Sequence, residues 1–269
     1  MRSRNRASQL MARVFVLIVA LSCENPFSFS PYETIVKEEY RNTTQKNLLL
    51  IDSLDRQESG PFKVALIADT HYHFDDLHDA LSVINTKKDI LFVLICGDIA
   101  ESGLLNDYVY FHKVMQYSSK PYLTVIGNHD YLSNGSTIYR DMFGDYNYTF
   151  TFNNVKFVLF DNVFWESKKI PDFNWLEDQL NNQQGYDHII PFMHIPPFDQ
   201  QFANHHERYH QLLVDYDIGF SIHGHRHEYD LRDMYGDGIQ ILSIGSPSKR
   251  SYCELTVTPQ QISVEQIHF

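Results

Sequence analysis

Residues 62–71 read F-K-V-A-L-I-A-D-T-H. A continuous apolar run that stops at a polar residue predicts a strand buried on both faces. The run gives way to Asp69, Thr70 and His71, and an Asp-x-His is metal-ligand chemistry. The pattern recurs along the chain. D-I-L-F-V-L-I-C-G-D at 89–98 ends in Asp98 and continues to Glu101. P-Y-L-T-V-I-G-N-H-D at 121–130 ends in Asn128, His129 and Asp130. H-I-I-P-F-M-H at 188–194 ends in His194, and G-F-S-I-H-G-H-R-H at 219–227 ends in His223, His225 and His227. Any one of these endings reads equally well as a turn or a helix cap. Five in order, each at the carboxyl end of a predicted strand, converge on one rim of a sheet, where α/β proteins bind ligands.

Helical periodicity fills the gaps. Leu77, Leu81 and Ile84 share one face of a segment starting F-D-D-L. Leu104, Tyr108, Phe111 and Met115 share a face of the next. Alternating strands and helices imply a sheet covered by helices. Y-T-F-T-F and V-K-F-V-L-F-D predict a hairpin across Asn153-Asn154, N-W-L-E-D-Q-L a helix, and Y-C-E-L-T-V-T with I-S-V-E-Q-I-H two final strands.

The series D-x-H, G-D-x-x-E, G-N-H-D, H, G-H-x-H resembles that of the calcineurin-like metallophosphoesterase superfamily, over about residues 62–230. The resemblance implies an α/β (α+β) fold, a four-layer β-sandwich flanked by helices, with a dimetal site on loops at strand ends. It implies that Asp69, His71 and His227 hold one divalent ion, that Asn128, His194 and His225 hold the other, and that Asp98 bridges them. This donor set suits Mn, Fe, Zn or Mg without choosing among them. The implied reaction is hydrolysis of a phosphomonoester or phosphodiester by a hydroxide shared between the ions. Asn128 and His129 would contact the phosphate, and His129 would protonate the leaving group. Glu101, three residues after the bridging Asp98, is expected to orient His129, with Asp130 as the other possible partner. His223 falls outside the motif and is expected to be hydrogen-bonded at a strand end. Selectivity for a small phosphorylated substrate is expected from a lid at 196–210 and a loop at 131–139. The other reading is a noncatalytic binding module that keeps the fold; intact ligand positions favour the enzyme.

A competing motif lies at 206–210, where H-E-R-Y-H matches the zinc-protease pattern HExxH. Arg208 and Tyr209 stand where a helix buried under a metal is usually apolar, so a solvated lid helix is the better expectation.

Composition bounds the rest. The chain has 269 residues, 43% of them hydrophobic, enough for a sizeable core. A formal net charge of -12 disfavours nucleic-acid binding, and bound metal ions would supply the positive charge that a phosphorylated substrate needs. Cys23, Cys96 and Cys253 form no CxxC pair, which disfavours a thiolate zinc site or a disulfide framework. Residues 1–22 read as a signal: a basic stretch with four arginines, then V-F-V-L-I-V-A-L. A-L-S-C at 20–23 resembles a lipobox, so Cys23 is expected to carry lipid and the protein to be exported and membrane-tethered. Residues 23–60 are expected to form a tether with a short helix at 46–54, and residues 61–269 the phosphoesterase domain.

Overall fold

The computed structural model describes residues 30–55 and 60–269. The expected signal and Cys23 lie outside the described residues. From Thr34 onward the described chain forms one compact unit. In chain order its elements are α1 (Thr43–Asp55), β1 (Phe62–Ile67), α2 (Phe74–Thr86), β2 (Ile90–Cys96), α3 (Leu105–Met115), β3 (Tyr122–Val125), α4 (Gly135–Phe143), β4 (Tyr148–Phe152), β5 (Val155–Leu159), α5 (Phe173–Asn181), β6 (His188–Phe192), α6 (His206–Asp215), β7 (Phe220–His223), β8 (Asp230–Asp233), β9 (Gln240–Ser243), β10 (Ser251–Val257) and β11 (Ile262–His268).

The strands make two sheets, ordered β11-β10-β1-β2-β3 and β4-β5-β6-β7-β9-β8. β1, β2 and β3 run parallel, as do β5, β6, β7 and β9. The period-two alternation of side chains assigns each strand face to a layer. Val64 and Leu66 of β1 join Phe92, Leu94, Phe157, Phe192 and Ile222 in the core between the sheets. Ala65 and Ile67 face outward with Val93 and Ile95, under Leu77, Leu81 and Ile84 of α2 and Phe111 and Met115 of α3. On the far side, Val158, Ile189 and Ile241 lie under Phe173, Leu176 and Leu180 of α5 and Tyr209, Leu212 and Leu213 of α6. The result is helix, sheet, sheet, helix, the four layers expected.

The β4–β5 hairpin turns at Asn153 and Asn154, with φ of 45° and 60°. Asparagine tolerates that left-handed turn better than most residues, which is why the dipeptide marks it. α1 is longer than the helix expected at 46–54, and it is docked: Ile51 is in the core between the sheets and the Asn47 side-chain oxygen accepts the Tyr122 N–H at 3.0 Å. It thereby covers the open edge of β3. The stretch 131–139, expected as a loop, runs into α4, where Ile138, Tyr139, Met142 and Phe143 form a buried stripe.

Candidate metal centre

The carboxyl ends of β1, β2, β3, β6 and β7 meet at one rim spanning both sheets. Asp69, His71, Asp98, Asn128 and His194 are buried there, with His225 and His227 partly exposed. Five of these seven, Asp69, His71, Asp98, His225 and His227, have φ between 42° and 70°. Left-handed backbone is uncommon for residues with a Cβ, and its clustering marks sites where strain is held for a purpose. It lets a chain leaving a strand turn its side chains back over the strand end. Flanking glycines permit the crowding. A Cβ on Gly97 (φ 78°) would sit 2.5 Å from His194 Nδ1, and one on Gly127 would sit 2.2 Å from both the backbone nitrogen and Oδ1 of Asp98.

The donor atoms form two groups. In one, His71 Nε2 and His227 Nε2 are 3.3 Å apart, and His227 Nε2 is 3.5 Å from Asp69 Oδ1. In the other, Asn128 Oδ1 is 3.1 Å from His194 Nε2 and 3.0 Å from His225 Nδ1. Asp98 Oδ2 lies between them, 3.7 Å from His71 Nε2 and 3.2 Å from His194 Nε2. Separations of this size match neighbouring donors around one ion with bonds of about 2.1 Å. Among the described residues, the clusters with metal-binding geometry are Asp69–His71–His227, His71–Asp98–His129 and Asp98–His194–His225.

Two observations test whether a cation fits. The buried Asp69 Oδ2 has no hydrogen-bond partner, an expensive state for a carboxylate oxygen unless something positive completes it. The protonation states also suit ligation. Burial pushes His71 and His225 down to about 4 and lowers His227, so their lone pairs are available at neutral pH. His194 is the opposite case. Burial alone would lower it, but Asp98 and Asp69 raise it to about 10. Burial pushes Asp69 up, whereas His194 overrides the effect of burial on Asp98 and holds it below the usual carboxylate range. A proton in this buried group thus stands where a metal charge belongs. The residues fit a dimetal site.

His129 comes to the rim on a short 3-10 turn, His129–Tyr131, with its ring edge-on to His71 at 4.7 Å. Its backbone N–H donates to Asp98 Oδ1 at 2.8 Å, and its Nδ1 is 2.7 Å from the main-chain oxygen of Glu101. Two expectations are corrected here. The Glu101 carboxylate does not orient His129: its Oε2 lies 2.9 Å from His71 Nδ1, and the backbone carbonyl does the orienting. Asp130 does not reach the His129 ring either. It is fully buried, and its oxygens accept the N–H groups of Ile99, Ala100 and Gly127 and the hydroxyl of Tyr108. It ties the loop after β2 to the loop after β3, while burial and the charge of Asp98 push it up to about 7.

His223 is hydrogen-bonded at the end of β7 as expected, to Ser221 Oγ and the Ile195 carbonyl. The HExxH histidines take other places. His210 stacks on Tyr235 and shares a hydrogen bond with Asp237 at 2.6 Å, and no metal-binding cluster among the described residues includes His206 or His210. Two contributors carried no motif signal. Ser246 Oγ, in the connection from β9 to β10, donates to the Asp69 carbonyl at 2.8 Å and braces that loop. Asp199, in the segment after β6, approaches His225. Only the S-P step at 246–247, a cap signal, hinted at the first.

The family model described as Calcineurin-like phosphoesterase matches residues 62–229. A curated relative from Xenorhabdus bovienii (strain SS-2004), described as a "Probable cyclic nucleotide phosphodiesterase", is 33% identical over 61 residues, 23% of this chain. The match spans a quarter of that relative's length, 25%. Among solved structures the chain is similar to GAP50, described as the anchor in the inner membrane complex of Plasmodium, at 16% identity and a TM-score of 0.61, covering 78% of this chain and 85% of that one. TT1561 of Thermus thermophilus gives 11% and 0.54, covering 76% and 98%. A novel phosphatase of Mycoplasma pneumoniae gives 13% and 0.51, covering 79% and 94%. At such identities these likenesses bear on the fold alone.

Proposed function

The chain belongs to the Calcineurin-like phosphoesterase family, and from that premise we propose that it hydrolyses a small phosphomonoester or phosphodiester at a centre of two divalent ions. Asp69, His71 and His227 would hold one ion, Asn128, His194 and His225 the other, and Asp98 would be shared by both. One observation carries this reading: the single oxygen Oδ2 of Asp98 faces His71 on one side and His194 on the other. When bound, the ions supply an acidified water as nucleophile and positive charge against the phosphate. The protein's own residues do the rest. The Asn128 amide and the His129 ring bind phosphate oxygens at the rim. In its doubly protonated form His129 donates the Nε2 proton to the leaving oxygen, while its Nδ1–H stays with the Glu101 carbonyl and the ring is left neutral. Ala68, Ile99 and Ile126, which lie beside the ligands in sequence, are fully buried. The name of the Xenorhabdus relative points toward a cyclic nucleotide diester. The apolar run and Cys23 of the leader point toward export and a lipid tether.

The test uses protein stripped by chelation and reloaded with Mn, Fe, Zn or Mg, assayed on p-nitrophenyl phosphate and bis(p-nitrophenyl) phosphate. The reading expects turnover with at least one ion and one ester, lost together with metal content in Asp98→Asn. Full loading without turnover on any ester would establish the noncatalytic binding module instead.

A further inference from the structure

Asp199 belongs to none of the ligand motifs. It caps the 3-10 segment Gln200–His205 that leads into α6, with a side chain only 9% exposed. Its Oδ1 accepts the Gln201 N–H at 2.9 Å and lies 3.6 Å from His225 Nε2. Its Oδ2 accepts from Arg226 Nη1 at 3.0 Å. The other nitrogen of His225, Nδ1, faces Asn128 Oδ1 within the second donor group. An imidazole that gives one nitrogen to a metal carries its proton on the other, and that N–H needs an acceptor. A carboxylate in that place fixes the tautomer, aims the ring and raises its basicity as a ligand.

We propose that Asp199 is a positioning residue for the metal centre: its carboxylate faces the Nε2–H of His225, and Arg226 holds the carboxylate there. Arg226 sits between the ligands His225 and His227, so the loop that carries the ligands also clamps the residue that aims one of them. Asp199, Arg226 and His225 also line a cavity of about 520 Å³ together with Trp165 and Phe198. The wall of the cavity nearest the metal centre and the orientation of a ligand therefore depend on one side chain. This inference rests on His225 being a metal ligand, and the test separates the two.

Chelator-stripped protein is titrated with cobalt(II), followed by calorimetry and by the visible absorption of the bound ion. The wild type is expected to bind two ions. Asp199→Asn keeps an oxygen to cap Gln201 but loses the charge. It is expected to bind one ion as tightly as the wild type and the other on the order of 10–100-fold more weakly, with a changed absorption band. Asp199→Glu is expected to recover part of the affinity, and Arg226→Gln to show a smaller loss in the same direction. His225→Ala should lose the same ion that Asp199→Asn weakens, and Asp199→Asn added to it should change nothing further. Unchanged cobalt affinity in Asp199→Asn, with the loss present in His225→Ala, overturns the positioning role alone. Two ions bound normally by His225→Ala overturns the ligand reading and this inference with it. An additional loss in the double variant overturns the route through His225.

Discussion

At the scale of single residues, His194 holds the charge that the metal-free site requires. Its pKa of about 10 comes from Asp98 and Asp69, against the lowering effect of burial. Metal binding needs it neutral. Loading at pH 7 should therefore release about one proton or more per protein, and affinity should rise with pH toward 10. His71 and His225, pushed down to about 4, have no proton to release at that pH. Calorimetry in two buffers of different ionisation heat measures the release; none at pH 7 would contradict this charge assignment. His129 gives a second test. His129→Ala should keep its metals and lose kcat by about 10²–10⁴-fold on alkyl esters. The loss should be smaller on p-nitrophenyl esters, whose leaving group hardly needs a proton. Equal losses on both would make His129 a phosphate-binding group only. The sequence named the donor types because Asp, His and Asn at strand ends have few other uses in such numbers. It could not show which side of Glu101 meets His129, or that Asp130 turns inward. Both depend on rotamers set by packing from other elements.

At the scale of elements, the site is a set of strand-end loops that must hold their turns. Asp130 is the fastener between the loops after β2 and β3. Asp130→Asn leaves one oxygen where two now serve four donors, so an NH₂ faces the N–H groups of Gly127 and Ile99 or of Ala100. A loss of about 2–3 kcal/mol in stability is expected, read by denaturant titration of the metal-free protein; no change would remove the fastening role. Continuous apolar runs made β1, β2, β3 and β6 legible, and helical stripes did the same for α2 and α3. β8 and β9 were not legible: D-L-R-D lies on an exposed edge with β8 side chains mostly in solvent, so no hydrophobic pattern marks it. α4 begins at Gly135 in a stretch rich in turn residues, and its stripe becomes evident only against α3 and β3.

At the scale of the whole molecule, the fold brings the candidate ligands from two sheets and from residues 69 to 227 to one rim, so metal loading should report on the entire sandwich. No helix among the described residues is long and apolar enough to cross a membrane. The proposed tether depends on Cys23, well before β1. Cys23→Ser should abolish lipid labelling and leave phosphoesterase activity intact; unchanged mass and membrane association in that variant would leave an ordinary signal or anchor. The order and spacing of the five motifs were readable because each ligand follows its strand directly in sequence. Asp199 was not, because it and His225 lie 26 residues apart in sequence and meet only in the folded chain. The claim on which the rest depends is that Asp98 is shared by two ions. Crystals of the protein grown with manganese, measured for anomalous scattering, test it directly. The account predicts two anomalous peaks about 3.5–4 Å apart, one on each side of Asp98 Oδ2. A single peak, or a second peak away from Asn128, His194 and His225, would contradict it.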